Sequence, residues 1–496
     1  MGQLRFIVPR SERVDDHALQ RSYVAGTDSI PWVSRVEWDQ GEFVVEREIR
    51  ESGNVFVPYQ VPGFGELMLS TASLMERRQP YLLPLELARG TLNRCRNYCS
   101  TWMLAGLQPS AAYLNKVRDA STLFASAATN QGDMILASDD AERSLVATLE
   151  AMELLVADYV QQVLALRRQN ATPHTTLISG RLATATPLNP AQSKEFLASF
   201  NAAAVAFSWR DIEPEEGKFN WESVDMHLAW CREHGVKIIG GPLLRFDPIS
   251  IPDWLYLWVG DFEMIETQVV NFINAVLQRY RGKVHVWNAT ACMNVTDSLK
   301  LSEEERLRLT VDVIEAVRRG DARTPVIASF DQPWGEHLAR EEMELTPLHF
   351  ADTLVRSDLG LSGLGIEINY GYYPTGTYPR DQLEFARLID QWSTLGLPLV
   401  IQLTAPSSAQ TDSLARNAGK AGKLVFNQGP SPQEQARFVE RFYPLLLALQ
   451  AVQGVIWNQL RDSVPHNFPA AGGFDERNVV KPVMQAIAKV RSQIPT

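Results

Sequence analysis

From about residue 174 the chain repeats one pattern, a short apolar run followed by a longer amphipathic one. The apolar runs fall at 177–183, 202–208, 236–243, 284–291, 325–330, 363–369, 398–404 and 454–460, and the stretches between them, for example 302–319 and 433–450, have helical periodicity. Strands that are apolar along their whole length are buried on both faces, as in a parallel sheet covered by helices. Eight of them alternating with helices over roughly 320 residues predict an α/β unit of the (β/α)8 TIM barrel type. An open doubly wound sheet alternates too, but no Gly-rich phosphate turn follows 177–183.

Two further regions precede the barrel, as a chain of 496 residues allows. Residues 1–83 are β-rich: Glu42–Glu48 and Asn54–Tyr59 are dense in β-branched and aromatic residues, and Pro62-Gly63-Phe64-Gly65 reads as a turn. A small β-sandwich-like domain is expected there, either a sugar-binding module or a structural unit. Residues 84–173 read as a helical connector. Its clearest helix starts at the capping cluster Ser138-Asp139-Asp140 and carries the stripe Leu145, Leu149, Met152, Val156, Tyr159, Val163 and Leu166. Arg167 and Arg168 suit its C-terminal dipole. The barrel then occupies 174–496.

Net charge is −11, with no basic stripe, which argues against nucleic acid as a partner. No apolar stretch is long enough to span a membrane, and the first residues carry neither a leader pattern nor a myristoylation pattern. As written the chain reads as cytoplasmic, or as secreted if a leader was removed. Cys95, Cys99, Cys231 and Cys292 read as reduced thiols. The eight histidines show no metal-ligand spacing, so no metal and no cofactor is expected.

Several runs resemble the family 10 glycoside hydrolases, the endo-1,4-beta-xylanase family. Phe200-Asn201-Ala202, followed by Trp209 to Trp221 with its Ile212-Glu213-Pro214 to Phe219 core, resembles the second strand and its loop. His234–Ile238, Gly282–Asn288 and Gly363–Ile366 resemble the third, fourth and sixth strands. Asp462-Ser463, Gly473–Glu476 and Lys481-Pro482 resemble the eighth strand's loop and the closing helix. The resemblance runs over roughly 174–492.

It implies a retaining pair of carboxylates, an acid/base closing the fourth strand and a nucleophile near the end of the seventh. Here the fourth strand ends Trp287-Asn288-Ala289-Thr290-Ala291-Cys292, with Cys292 at the acid/base position. The seventh reads Val400-Ile401-Gln402-Leu403-Thr404, with Gln402 at the nucleophile position. A neutral amide and an unperturbed thiol cannot perform that chemistry. The sugar-binding Asn, Glu, His and Trp positions also differ, holding Val205–Ser208, Gly241, Arg245 and Phe246.

Other carboxylates fall near the C-terminal ends of the strands: Asp247, Asp331, Glu336, Glu367 and Asp462. Glu367 and Asp331 on neighbouring strands form the expected catalytic pair, if any pair acts. Trp457 and Tyr370 are expected to bind substrate with Asn288, Arg245, Gln402 and Cys292, and Tyr372, Tyr373 and Trp334 add aromatic faces. Three readings follow: a barrel that binds poly- or oligosaccharide without retaining chemistry, a glycosidase with relocated carboxylates, or a structural protein. A homo-oligomer through the N-terminal region is a further expected partner, and one found without sugar binding or turnover favours the third reading.

Overall fold

The computed structural model describes residues 2–169, 175–183, 186–295, 298–341, 343–416 and 419–493. Eight parallel strands form the barrel: β1 (Leu177–Leu182), β2 (Ala202–Val205), β3 (Lys237–Gly240), β4 (Val286–Ala291), β5 (Val326–Asp331), β6 (Gly363–Asn369), β7 (Leu399–Thr404) and β8 (Val452–Trp457). Pairing runs β3-β2-β1-β8-β7-β6-β5-β4, and Ile239 opposite Val286 joins β3 to β4 and closes the ring. Each strand overlaps one of the eight apolar runs, so the expected α/β barrel is the fold.

Alternation along the strands sorts the side chains into two cores. Ala204, Ile239, Ile327, Val400 and Ile456, flanked by Leu177 and Val286, fill the bottom of the barrel interior. Ile366, Ile368, Ile401, Leu403, Val455 and Trp457 face outward, into the larger core beneath the helices. Above the apolar floor the inward positions turn polar, and there the candidate site lies.

Ahead of the barrel stand two four-stranded sheets. One runs Ser34–Asp39, Glu42–Arg47, Gly2–Ile7, Tyr81–Leu82; the other runs Pro31–Trp32, Tyr23–Ala25, Asn54–Val61, Gly65–Ser70. Phe6, Phe43 and Val45 from the first share a core with Val24, Val55 and Val57 from the second. The opposite face of the second sheet (Tyr23, Phe56 and Met68) packs on Ala339 and Tyr378 of the barrel. Burial on both faces explains why Asn54–Val61 is apolar almost throughout.

Three helices follow: α1 (Leu83–Leu104), α2 (Ala111–Thr129) and α3 (Met134–Gln169). The capping cluster expected at Ser138-Asp139-Asp140 lies inside α3 instead, because Asp133 already caps the helix by accepting from Leu136 N at 3.1 Å. The cluster's acids serve tertiary contacts: Asp139 pairs with Arg10, and Asp140 accepts from the Ser126 hydroxyl at 2.6 Å. The apolar stripe is buried from Leu145 to Val156, but Leu166 is 58% exposed. Arg167 and Arg168 stand in the last turn of α3, as expected, and also reach beyond it. They donate to Leu447 O and Ala448 O and to Gln493 O, carbonyls that close two barrel helices.

Buried ion pairs and backbone bonds fix the β-domain to the barrel. Arg340 donates to the carbonyls of Ser34, Leu19 and Ser22. Arg380 bridges Tyr23 Oη at 2.9 Å and Glu336 at 2.5 Å; beside them Arg94, on helix α1, reaches Asp381 at 2.7 Å. Met68 N donates to Pro379 O and Glu66 N to Leu424 O. Among the described residues, no helix is long and apolar enough to cross a membrane.

Candidate functional site

The polar layer begins with a chain of hydrogen bonds across the interior. Arg181 of β1 donates to Gln402 Oε1 of β7 at 2.7 Å, Gln402 Nε2 donates to Ser329 Oγ of β5 at 2.7 Å, and Ser329 donates to Asn288 Oδ1 of β4 at 2.9 Å. Gly365 of β6 lies beneath this crossing, where a Cβ would stand 2.0 Å from Ser329 Oγ. Gln402 and Asn288, both buried, are thereby fixed as interior struts and do not reach the mouth.

Arg245 enters on the two-residue strand Leu244–Arg245, which pairs with the end of β4. The turn before it needs glycine at 241, where φ is 117° and a Cβ would meet Asn288 O at 2.3 Å. Arg245 grips both oxygens of Glu367, at 2.7 and 3.1 Å, and holds Asp247 at 2.5 Å with its Nε. Asp331 sits opposite Glu367 in the β5–β6 register. Asn369 Nδ2 donates to both, at 3.1 Å to Asp331 and 3.3 Å to Glu367.

The two carboxyls are driven apart electrostatically. Burial pushes Asp331 up to about 8, and the neighbouring Glu367 charge adds to it. Burial also pushes Glu367 upward, but the charge and hydrogen bonds of Arg245, with Arg181 nearby, outweigh it and hold Glu367 below the ordinary carboxylate range. At neutral pH Asp331 is protonated and Glu367 ionised. The Cys292 thiol, 3.8 Å from Asp331 Oδ2, is buried and pushed well above its ordinary value first by burial, which disfavours the thiolate.

A cavity opens over this layer at the C-terminal end of the barrel, enclosing about 1070 Å³ that is open to solvent. Arg181, Arg245 and Glu367 line its floor, with Asn458, Arg416 and Arg461 around them. Of the expected site residues, then, Arg245 and Glu367 reach the cavity. Asp331, Asn288, Gln402 and Cys292 are sealed beneath it.

The expected aromatic platform is not there. Trp457 faces outward and is fully buried, because the interior position of β8 is Ile456 and the next inward residue is Asn458. Tyr370 also faces outward, packed against Phe438 and Phe442, with its hydroxyl on Arg380 O. Tyr372 is tied to Pro469 O, Tyr373 lies under Arg21, and Trp334 packs on Phe385. Two expected mouth carboxylates are structural too. Glu336 is paired with Arg380, and Asp462 with Lys481.

Sequence reasoning missed Arg181, Asn458, Arg416 and Arg461. Arg181 did leave a signal, a charged residue at the two-residue spacing Leu177, Ser179, Arg181 within an apolar run. Among the described residues, no group of three or more His, Cys, Asp or Glu is placed to hold a metal ion.

The loop after β2 closes on itself. Glu213 accepts from Trp209 Nε1 at 2.7 Å and from Gly217 N at 2.8 Å, and its carbonyl accepts from Trp254 Nε1 at 3.0 Å. The Ile212–Phe219 run is therefore a structural clasp.

Residues 173–298 match the family model of glycosyl hydrolase family 10. Endo-1,4-beta-xylanase A of Fusarium oxysporum f. sp. lycopersici is 30% identical over 83 residues, 17% of this chain and 25% of its own. Endo-1,4-beta-xylanase B of Humicola insolens is 29% identical over 83 residues, 17% of this chain and 23% of its own. The match thus spans a quarter or less of these relatives' length. Among solved structures, xylanase 10B from Thermotoga petrophila RKU-1 in complex with xylobiose aligns with TM-score 0.49 and 17% identity, over 67% of this chain and 97% of that one. The chain carries a xylanase-like TIM barrel similar to glycosyl hydrolase family 10.

Proposed function

We infer that this protein binds a poly- or oligosaccharide in the cavity at the barrel mouth without the retaining hydrolysis of the family it resembles. The observation that carries this reading is the state of the carboxylates. Retaining hydrolysis needs two carboxyl groups facing the scissile bond from opposite sides. Here Glu367 is the carboxylate on the cavity floor, and Arg245 occupies both its oxygens. Asp331 lies beneath, accepting from Gln332 N at 2.7 Å and from Asn369. The position that resembles the family nucleophile is Gln402, clamped between Arg181 and Ser329.

One observation favours the alternative, a glycosidase with relocated carboxylates. Asp331 and Glu367 are a protonated and an ionised carboxyl side by side, the division of roles that acid/base catalysis uses. Product release from xylan, other polysaccharides and aryl glycosides, with Glu367→Gln run beside the parent, separates the two. Saccharide binding without product release supports the binding reading. Turnover in the parent that is lost in Glu367→Gln overturns it in favour of the relocated pair.

A further inference from the structure

The charged side chains of the cavity are mostly cationic, in a chain of opposite overall charge. Arg181 makes three hydrogen bonds, through Nε to Asn458 Oδ1 at 2.8 Å, through one terminal nitrogen to Gly241 O at 3.3 Å and through the other to Gln402 Oε1. All three acceptors are neutral, and a guanidinium carries five N–H groups, so two remain for the cavity. Among the described residues no carboxylate lies within ion-pair distance of Arg181, whereas the neighbouring Arg245 holds two. Asn458 has its carbonyl oxygen on Arg181, so what its side chain still offers is the two donors of its amide nitrogen. Arg416 lines the same cavity from an exposed position and has no side-chain partner among the described residues.

Four arginines face two carboxylates in this lining, Glu367 on the floor and the exposed Asp211 on the rim, while the whole chain carries −11. A neutral sugar offers hydroxyls, each of which donates as well as accepts. A guanidinium with spare parallel N–H groups, beside an amide and a second guanidinium, is matched best by a group that only accepts, and a carboxylate meets the guanidinium fork with two oxygens. Burial draws the Arg181 guanidinium down to about 10, which still leaves it charged at neutral pH.

Resting on the saccharide reading above, we propose that the cavity selects an acidic sugar, a uronic acid residue whose carboxylate sits on Arg181 with Asn458 and Arg416 around it. The test is calorimetric titration of the full chain at low salt with a neutral xylotetraose, a xylotetraose bearing a glucuronic acid branch, a tetragalacturonate and the non-sugar carboxylate succinate. At least one acidic oligosaccharide binds about tenfold more tightly than the neutral one, and the advantage shrinks as salt rises. Arg416→Ala, on an exposed side chain, reduces the advantage without changing the melting temperature. Arg181→Met abolishes it, with circular dichroism confirming the fold.

Neutral tetraose binding as tightly as both acidic sugars overturns the charge selection and leaves the saccharide reading standing. Succinate binding in the cavity while every sugar fails keeps the anion site and overturns the saccharide reading. No binding of any of the four overturns both.

Discussion

The two halves of the barrel have been stabilised in different ways. From β1 to β4 the loops at the mouth stay uncovered and fold on their own contacts, with the Glu213 clasp holding the excursion after β2. After β5, β6 and β7 the chain packs on the β-domain, through Arg340, Pro379, Arg380 and Leu424. The family model ends at residue 298, before the first of these docking contacts. The family match thus covers β1 to β4, whose described residues make no hydrogen bond to the β-domain, and stops ahead of the segments that do.

The strongest way to break this contrast is at Arg380, which is 2% exposed between Tyr23, Glu336 and Glu384. Arg380→Met leaves Glu336 buried without its ion-pair partner. It is expected to cost about 3–5 kcal/mol, read as a lowered urea midpoint and as exposure of the β-domain to limited proteolysis. Undiminished stability would mean the docking face is not what holds the second half. Glu213→Ala tests the first half. It orphans the buried Trp209 Nε1 donor and releases the exposed Gly217 N–H, at roughly 1–3 kcal/mol in all, with the loss confined to hydrogen exchange around 209–221. If protection falls equally across β5 to β8, the halves are not independent.

A pH experiment sharpens the comparison at the seam between β5 and β6. The folded value of Asp331 is raised from the ordinary 3.8 to about 8. Its contribution to stability is therefore complete below about 4 and is lost as pH rises towards 8. Asp331→Asn cannot lose a proton, so its urea midpoint should gain on the parent's between about pH 5 and pH 8. Parallel pH profiles would show that Asp331 titrates normally. The smallest effect is expected at the exposed Lys218–Glu215 pair, both more than two-thirds solvent-exposed. Lys218→Ala should shift stability by less than about 1 kcal/mol, and a larger shift would make the clasp depend on surface charge.

The fold was legible because burial on both faces erases polar residues from a strand, and eight such erasures in order admit few architectures. The site was harder to read, because it depends on which parity of each strand points inward. On β6 the inward parity was read correctly at Glu367, and the same parity places Tyr370 outside. On β8 the ladder with β7 slips by one residue, Leu399 facing Val452 and Val400 facing Gly454. That slip exchanges Trp457 for Asn458 at the inward face and leaves no trace in the amino-acid pattern. The Ser138–Asp140 cluster shows the same limit. Its composition suits a helix start, but Arg10 and Ser126, distant in sequence, determine what those side chains do.

The docking bonds join residues that are 306 and 357 positions apart along the chain. During synthesis the β-domain emerges first, and at ribosomal speeds of about 5–20 residues per second its partner surface follows only after some tens of seconds. For that interval the sheet face bearing Tyr23, Phe56 and Met68 has nothing to cover it. Nascent chains of this protein are therefore expected to occupy holdase chaperones until Tyr378 and Arg380 have left the exit tunnel.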